Sequence, residues 1–447
     1  MNHPMPQSLQ QAIDAAGNAV DLVWHGEKAT WKVPVVPSEF VGWAAEQEAW
    51  RSGVAISDLS FHMSDTTIVG SDARRLLEAV SANNYDRFAT GQAKQFIPVA
   101  PDGNIITDGI LLKEAEDRYV LSGVPAAQSW VTYHAEAGHY DVDLATNLDS
   151  AVRREGDPWF FRFQVQGPHA LDLIERAYGR ALPETRFFHS QMTELAGRPV
   201  RALRHGMAGQ AGFELIGDFA DYQAVKDALL AAGEALGVVQ VGGMAYFTNG
   251  VESGWIPTPT PAIYAAPELR GYREWQSAFS YEGKKPMHGS FYSPRIEDYY
   301  ASPWELGYGR SIHLGHDFIG RDALAAAKDA PKRTRVTLEW DAEDARRAFG
   351  GDPDYFLSYG RYRIENAHGL AGVTFYTANI GPVGKVLSLS LVDEWQAEPG
   401  SQVEIVFGEH PGAGTAPEAD LGFPRIRATV QPSPYDEYAR TQYRVNA

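Results

Sequence analysis

The stretch DTTIVGSDARRLLEAVSA, residues 65–82, contains both kinds of secondary structure that the following part of the chain repeats. Its first five residues, 65–69, have the composition and apolar spacing of a strand. Ser71 then opens a segment, 71–82, whose apolar residues recur at helical spacing. The stretch therefore predicts a strand that leads directly into a helix.

The regions on both sides of this stretch mix strand and helix patterns in the same way. Pro101-Asp102-Gly103 has hairpin-turn chemistry, which predicts that runs 96–99 and 105–112 are strands joined by this turn. Ser8 and Gln11 resemble a capping box at the start of a helix. Helix patterns occupy residues 9–16, 40–50, 125–137, 168–178 and 220–236. Together these patterns indicate an α+β body.

The pattern changes after residue 335, where strand-like runs are separated by Gly, Pro and Asp clusters with no convincing helix between them. These runs are residues 335–340, 361–364, 372–376, 385–392, 402–407 and 425–430. They predict a small β-barrel that follows the α+β body. A chain of 447 residues is also too long for one compact core. We therefore predict an N-terminal arm over 1–52, a body of two subdomains over 53–331 and a barrel domain over 332–447, with the linker 329–333 as the boundary.

The composition excludes several classes of protein. The chain has no cysteine, which rules out disulfides, iron–sulfur clusters, zinc knuckles and thiol nucleophiles. The formal net charge of −18 disfavours nucleic acid as a partner. No GxGxxG motif follows a strand, and His313 and His316 lack a nearby carboxylate motif, so neither a nicotinamide cofactor nor a metal is predicted. Without an apolar run of about 18 residues or an export signal, we expect no membrane association and a cytoplasmic location.

Seven segments, in order along most of the chain, carry a family resemblance. They are Asp58-Leu59-Ser60-Phe61-His62-Met63 with Ile68-Val69-Gly70-Ser71-Asp72-Ala73, then Gly103-Asn104-Ile105-Ile106-Thr107-Asp108, Phe163-Gln164-Val165-Gln166-Gly167-Pro168-His169-Ala170, Gly212-Phe213-Glu214-Leu215, Glu252-Ser253-Gly254, Asp317-Phe318-Ile319-Gly320-Arg321-Asp322-Ala323-Leu324 and Pro399-Gly400-Ser401-Gln402-Val403. This set resembles the aminomethyltransferase superfamily, which includes the glycine-cleavage T-protein. The resemblance implies two α/β halves and a C-terminal barrel that form a ring of three subdomains around a folate channel.

Within that superfamily, further segments resemble the vanillate, 3-O-methylgallate and syringate O-demethylases more than the glycine-cleavage protein. They include Arg204-His205-Gly206-Met207-Ala208-Gly209-Gln210 and Ser302-Pro303-Trp304-Glu305-Leu306-Gly307-Tyr308-Gly309. This resemblance implies an enzyme that transfers a methyl group from a methoxylated aromatic compound, such as a lignin-derived phenol, to N5 of tetrahydrofolate. It implies no obligatory protein partner.

Three candidate catalytic residues follow from this resemblance and from the chemistry of aryl ethers. A phenolate leaves readily only when it is protonated, and tyrosine is well matched to a phenol leaving group. Tyr246, on the loop after a strand over 238–241, is therefore the leading candidate for the acid. His62 follows an apolar strand and is a candidate to donate a proton or to orient the ether oxygen. Asp108 lies in a hairpin whose family aspartate is near the reacting folate nitrogens.

Three further residues are candidates for binding the cofactor. Glu214 stands on a strand between apolar residues, and a carboxylate there accepts the paired N–H donors of a pterin. Gln166 and Trp255 occupy matching family segments, and Trp255 is suited to stack on the pterin or on the substrate ring. Local positive charge for the folate tail is expected from Lys284, Lys285, Arg321 and Lys94.

Two departures from the demethylases bear on the substrate. Leu59 stands where they carry a glutamine, and Val124 stands where they carry an arginine that we take to hold the aromatic carboxylate. A valine offers only apolar contact. We therefore expect a substrate that is neutral at that end, or a larger one that reaches a cation elsewhere, such as Lys284 or Arg295.

Of three alternative functions, the sequence excludes one and leaves two open. A glycine-cleavage-type aminomethyltransferase would carry an arginine where Gly250 stands and would need a lipoyl carrier. A folate-binding iron–sulfur assembly factor would need a cysteine-containing motif. A folate-dependent S- or N-demethylase, acting on a sulfonium or betaine compound, is barely separated from an aryl ether enzyme.

Overall fold

The computed structural model describes residues 7–25, 33, 35–329 and 332–444. Its strands belong to three sheets. They are β1 Ala55–Asp58, β2 Ser64–Val69, β3 Ala93–Phe96, β4 Gly109–Ala115, β5 Arg118–Gly123, β6 Asp143–Asn147, β7 Phe160–Gln166, β8 Ser190–Leu195, β9 Arg198–Arg204, β10 Gly212–Asp218, β11 Val239–Val241, β12 Arg333–Trp340, β13 Leu357–Ser358, β14 Arg363–Asn366, β15 Gly369–Ile380, β16 Lys385–Asp393, β17 Gln402–Val406 and β18 Arg425–Gln431.

The helices are short. They are α1 Leu9–Ala16, α2 Ala19–Val23, α3 Trp43–Ser52, α4 Ala73–Val80, α5 Pro125–Ala137, α6 Ala170–Tyr178, α7 Tyr222–Gly233, α8 Gly243–Tyr246, α9 Asn249–Ser253, α10 Arg270–Trp275, α11 Arg321–Ala326, α12 Ala342–Phe349 and α13 Glu437–Thr441. In the described part of the chain, none of them has the length and apolarity that a bilayer crossing requires.

Two sheets form the body of the molecule. The first has six strands in the order β11-β1-β7-β10-β9-β8, and the second has five in the order β3-β4-β5-β2-β6. Helices α6 and α7 cover the apolar face of the six-stranded sheet, where Phe163, Val165 and Leu215 pack with Leu173 and Leu229. The opposite face of this sheet is therefore the one that is available for polar side chains.

A closed barrel follows the body. The strands run in the order β15-β14-β17-β18-β12-β16, and β16 pairs again with β15, while β13 attaches to β15 outside this circuit. Leu338, Ile364, Ile405, Ile426 and Val430 are fully buried in the barrel core. The predicted α+β class with a C-terminal barrel is confirmed.

Several predictions of local structure are confirmed. The capping box forms, because Ser8 Oγ accepts from Gln11 N–H at 3.2 Å and Gln11 Oε1 accepts from Ser8 N–H at 3.3 Å. Helix α5 has the predicted bounds, with Pro125 as its first residue. The strand and helix of the opening stretch are β2 and α4.

Two predictions were wrong in detail. The hairpin ladder joins β3 to β4, so only one isolated bridge, Val99 to Ile105, lies near the predicted turn. The turn itself closes as predicted, because Ala100 N–H donates to Asn104 O at 2.9 Å and Ile106 N–H donates to Pro98 O at 3.0 Å, while Ile105 N–H points outward to Ala301 O. Helix α12 lies between barrel strands where no helix was predicted, and Asp341 caps it by accepting two backbone N–H groups. Residues 330–331 of the predicted linker lie outside the described residues, and the domain boundaries stay predictions.

Candidate active site between the two sheets

The polar face of the six-stranded sheet carries a row of buried polar side chains. Ser57, Gln164 and Glu214 are directly opposite one another on β1, β7 and β10. Opposed residues in an antiparallel ladder share a face, and alternate residues along β7 place Arg162 and Gln166 on that face too. All five side chains are buried. The row is therefore a polar surface that is enclosed inside the protein.

Arg162 joins this row to the five-stranded sheet. Its Nη1 donates to Glu214 Oε1 at 2.7 Å, and its Nη2 donates to Asp65 Oδ1 at 2.6 Å and to Ser122 Oγ at 2.7 Å. Asp65 and Ser122 are opposed on β2 and β5. Arg162 was not predicted as a site residue, although a basic residue among the apolar residues of 160–166 indicates a buried charge that needs a partner.

Glu214 is ionised in this environment. Burial alone would raise its pKa, but His205 and Arg162 outweigh burial and lower the pKa of Glu214 to about 2. His205 Nδ1 lies 3.6 Å from Glu214 Oε2. Because Arg162 already occupies Oε1, a pterin would meet Glu214 mainly through Oε2, and the bidentate contact expected from the sequence competes with Arg162.

His62 and Tyr246 form a direct pair at the edge of this row. Tyr246 Oη is 2.6 Å from His62 Nε2, and the two rings meet edge to face. Burial lowers the pKa of His62 to about 4, with Arg162 acting in the same direction. Burial also raises the pKa of Tyr246 well above its ordinary value, assisted by Glu214 and Tyr359. At neutral pH the pair therefore consists of a neutral imidazole and a protonated phenol.

The position of Tyr246 differs slightly from the sequence prediction. It is the last residue of the short helix α8, not part of a loop. A hydrogen bond between His62 and the Leu59 backbone tends to raise the pKa of the ring, as expected if the ring donates to a carbonyl. The other ring nitrogen, Nε2, then accepts the proton of the Tyr246 hydroxyl.

Asp108 and Trp255 form a second pair. Asp108 Oδ2 accepts from Trp255 Nε1 at 2.7 Å, from Gln95 Nε2 at 2.6 Å and from Tyr308 Oη at 3.1 Å. Its other oxygen, Oδ1, is buried with no hydrogen-bond partner in the described part of the protein. Burial raises the pKa of Asp108. The side chain thus keeps one acceptor for a ligand or for a proton.

The polar row contains more unpaired atoms of this kind. Gln166 Oε1 accepts from the backbone N–H groups of Met207 and Ala208, which leaves its Nε2 unpaired. Gln164 Nε2 donates to His205 O, which leaves Gln164 Oε1 unpaired. Arg162 Nε is also buried without a partner. Native proteins keep few such groups, so a cluster of them indicates a missing polar ligand. Adjacent donors and acceptors suit a heterocycle such as a pterin, and the residues present therefore fit tetrahydrofolate.

The structure places all six predicted site residues around one interior region. Gln166 holds the backbone of Met207, whose Sδ is 4.0 Å from Tyr246 Oη. Tyr246 and His62 are electrostatically coupled to Glu214. Asp108 directly precedes β4, and the first residue of β4 pairs with Gly123. Gly123 follows Ser122, which Arg162 contacts.

The basic residues proposed for the folate tail differ in burial. Lys284 is exposed, Lys94 is half-buried, and Arg321 pairs with Asp317 and Asp322, so only Lys285 of the four is buried. Arg295, proposed as a cation for a larger substrate, pairs with Asp298 at the surface. Within the described residues, no group of three or more His, Asp or Glu side chains is arranged to hold a metal ion.

Comparisons with known proteins agree with this architecture. The GCVT N-terminal domain family matches residues 21–258. A syringate O-demethylase of Sphingobium sp. (strain NBRC 103272 / SYK-6) is 36% identical over 458 residues, which cover 98% of this chain and 98% of that protein. A sesamin methylene transferase of Sinomonas sp. (strain No.22) is 27% identical over 431 residues, 90% of each chain. The structure of the glycine cleavage system aminomethyltransferase T from Bartonella henselae matches with a TM-score of 0.61 at 17% identity, covering 96% of this chain and 97% of that one, and it shows the fold alone.

The fold is shared with an aminomethyltransferase of the glycine cleavage system, and a relative of 36% identity spans 98% of the chain. The chain belongs to the aminomethyltransferase (GCVT) family. It is accordingly an enzyme of the tetrahydrofolate-dependent methyltransferase type.

Proposed function

We propose that this protein is an O-demethylase that transfers the methyl group of a methoxylated aromatic compound to N5 of tetrahydrofolate, giving 5-methyltetrahydrofolate and a phenol. The observation that carries this proposal is the His62–Tyr246 pair, which lies beside the row of unpaired polar groups. It supplies a protonated phenol next to a site that fits a pterin. The names of the syringate O-demethylase and sesamin methylene transferase relatives support the same chemistry.

The cofactor would be held by the polar row. Gln164 Oε1 and Glu214 Oε2 offer acceptors, while Gln166 Nε2 and Arg162 Nε offer donors. Trp255 is partly exposed and offers a ring face beside Asp108. Bound tetrahydrofolate supplies the nitrogen that takes the methyl group.

Tyr246 provides the proton that the departing aryl oxygen needs. Its raised pKa keeps the hydroxyl protonated at neutral pH, so the proton is present when the carbon–oxygen bond breaks. His62, whose pKa is about 4, is neutral and has no proton on Nε2 to give, so it orients the Tyr246 hydroxyl and does not act as the acid. The hydroxyl turns from His62 towards the ether oxygen in this step.

Asp108 would take up the proton that methylation releases. The phenol product gains the Tyr246 proton, the methylated nitrogen gives one to Asp108, and exchange with solvent then deprotonates Asp108 and reprotonates Tyr246 before the next turnover. Asp108 Oδ1 is the buried unpaired acceptor that we assign to the released proton. Burial raises the pKa of Asp108, which favours its protonated form at that moment.

The glycine-cleavage alternative is disfavoured by the packing around Gly250. A Cβ atom at this position would lie 2.8 Å from Tyr376 Cε1 and 2.9 Å from Trp255 O. An arginine there, as the glycine-cleavage enzymes carry, cannot be accommodated without moving both neighbours. We therefore propose a small-molecule substrate and no obligatory protein partner. The S- or N-demethylase alternative is left to experiment.

The test is to incubate the purified protein with tetrahydrofolate and separate methoxyarenes, sulfonium compounds and betaines, and to measure 5-methyltetrahydrofolate. We expect product from methoxyarenes only, with strict dependence on tetrahydrofolate and no loss of turnover in EDTA. Methyl transfer from a sulfonium compound or betaine in preference to every methoxyarene would refute the ether assignment. Turnover without folate, or turnover that EDTA abolishes, would refute the mechanism.

A further inference from the structure

Two buried cations lie side by side away from the polar row. Lys285 Nζ is 3.3 Å from Thr258 O, and Arg361 Nη2 is 3.4 Å from the same oxygen. The two residues are 6% and 2% exposed. Two positive groups that share one carbonyl inside a protein repel each other, and each loses its hydration.

No acid neutralises this pair in the part of the chain that the structure describes, where no carboxylate oxygen lies within 4.0 Å of either cation. Glu282 acts electrostatically on Lys285, but its Oε1 is held by Tyr272 and Gln276. Its Oε2 has no hydrogen-bond partner among the described residues and lies more than 4.0 Å from both cations. Arg361 Nε is buried and has no hydrogen-bond partner. Burial, with Arg361 nearby, lowers the pKa of Lys285 to about 7. Such a pair is stabilised when an anion binds between its members.

Aromatic rings connect these cations to the catalytic tyrosine. Lys285 Nζ lies 5.3 Å from the ring centre of Tyr281, and Arg361 Nη1 donates to Tyr359 O at 2.8 Å. The Tyr359 ring stacks on Tyr376 at 5.0 Å, and the Tyr376 hydroxyl donates to the backbone oxygen of Phe247, the residue after Tyr246. One stacked pair of aromatic rings therefore lies between the cations and the proton donor.

We propose that Lys285 and Arg361 form a carboxylate site that holds the acid group of an aromatic substrate while its methoxy group reaches Tyr246. This inference rests on the proposed function, and it supplies the cation that Val124 does not. A guanidinium beside an ammonium suits the two oxygens of a carboxylate. The site is enclosed, which fits a small aromatic acid. A folate tail is a flexible charged chain that has to reach solvent, so an enclosed site does not suit it.

The test compares acids with their carboxylate-free counterparts, syringate with 2,6-dimethoxyphenol and vanillate with guaiacol. Lys285→Met keeps the length of the side chain and removes the charge, and Lys328→Met is the matched control because Lys328 is exposed and has no proposed role in binding. We expect the wild type to prefer the acids. In Lys285→Met, kcat/KM for the acids should fall about 10–100-fold, while the neutral compounds change less than about threefold. Lys328→Met should resemble the wild type.

Three results would overturn the inference. They are a wild type that prefers the neutral compounds, an equal fall for acids and neutral compounds in Lys285→Met, and a Lys285→Met variant that loses folate affinity but keeps its preference for acids. The last result would assign the cations to the folate tail. If the wild type methylates folate from no methoxyarene, the proposed function fails, and calorimetry of syringate binding to the wild type and to Lys285→Met still tests the carboxylate site. Binding that Lys285→Met weakens at least tenfold supports the site, and equal binding refutes it.

Discussion

Removing the Tyr246 hydroxyl should separate catalysis from cofactor binding. In Tyr246→Phe the ring stays in place, and the lost oxygen has two neighbours, His62 Nε2 at 2.6 Å and Met207 Sδ at 4.0 Å. Loss of a general acid should lower kcat by roughly 10²–10⁴-fold. Leaving His62 Nε2 without its donor should cost about 1–3 kcal/mol of stability. The dissociation constant of tetrahydrofolate should change little, because the hydroxyl makes no contact with Asp108 or Glu214.

The assay is single-turnover formation of 5-methyltetrahydrofolate at saturating substrate, together with calorimetry of folate binding. Tyr85→Phe is a matched control, since Tyr85 Oη is also buried and hydrogen-bonded, to Ser81 Oγ at 2.7 Å, outside the site. It should lose comparable stability and keep its kcat. A Tyr246→Phe protein that retains kcat within about threefold of the wild type would refute the acid role of Tyr246 and make His62 the candidate acid.

Three further outcomes are expected. With the pKa of His62 near 4 and that of Tyr246 well above its ordinary value, NMR should show a neutral His62 ring from about pH 5.5 to 9, and a His62 titration near pH 6.5 would contradict this pairing. Glu214→Ala should weaken tetrahydrofolate binding by about 2–4 kcal/mol with little change of fold, and an unchanged dissociation constant in calorimetry would count against the cofactor assignment. Arg162→Met should lower the free energy of unfolding by about 3–5 kcal/mol in urea titrations, because Asp65 and Glu214 would then face each other without a cation. A loss smaller than about 1 kcal/mol would show that the charges are not buried as described.

Local signals made much of the fold predictable. Ser8 and Gln11 formed the expected capping box, and Pro125 opened the expected helix, because both features depend on neighbours in the chain. The 105–112 strand was misplaced, since the backbone partner of Ile105 is Ala301, almost two hundred residues away. Helix α12 was missed because Phe349 is its one large apolar residue and the other apolar residues are alanines, although Asp341 was a recognisable N-cap.

The six candidate residues were named from the sequence, but their arrangement was not predicted. The contact of His62 with Tyr246 spans 184 positions, and no spacing rule anticipates it. Adjacent lysines are equivalent in sequence, yet Lys284 is exposed and Lys285 is buried. Burial is a property of the packed tertiary structure, so the carboxylate site was invisible until the barrel residue Arg361 was placed beside Lys285.

The position of Arg162 also has a consequence for how the body folds. Its two carboxylate partners stand on different sheets, Glu214 on the six-stranded one and Asp65 on the five-stranded one. Neither sheet can bury its share of the charges before the other has docked, because an unmatched charge is costly in an apolar interior. The two halves should therefore unfold in one cooperative transition, and a fragment that contains either sheet alone should not reach a stable native state.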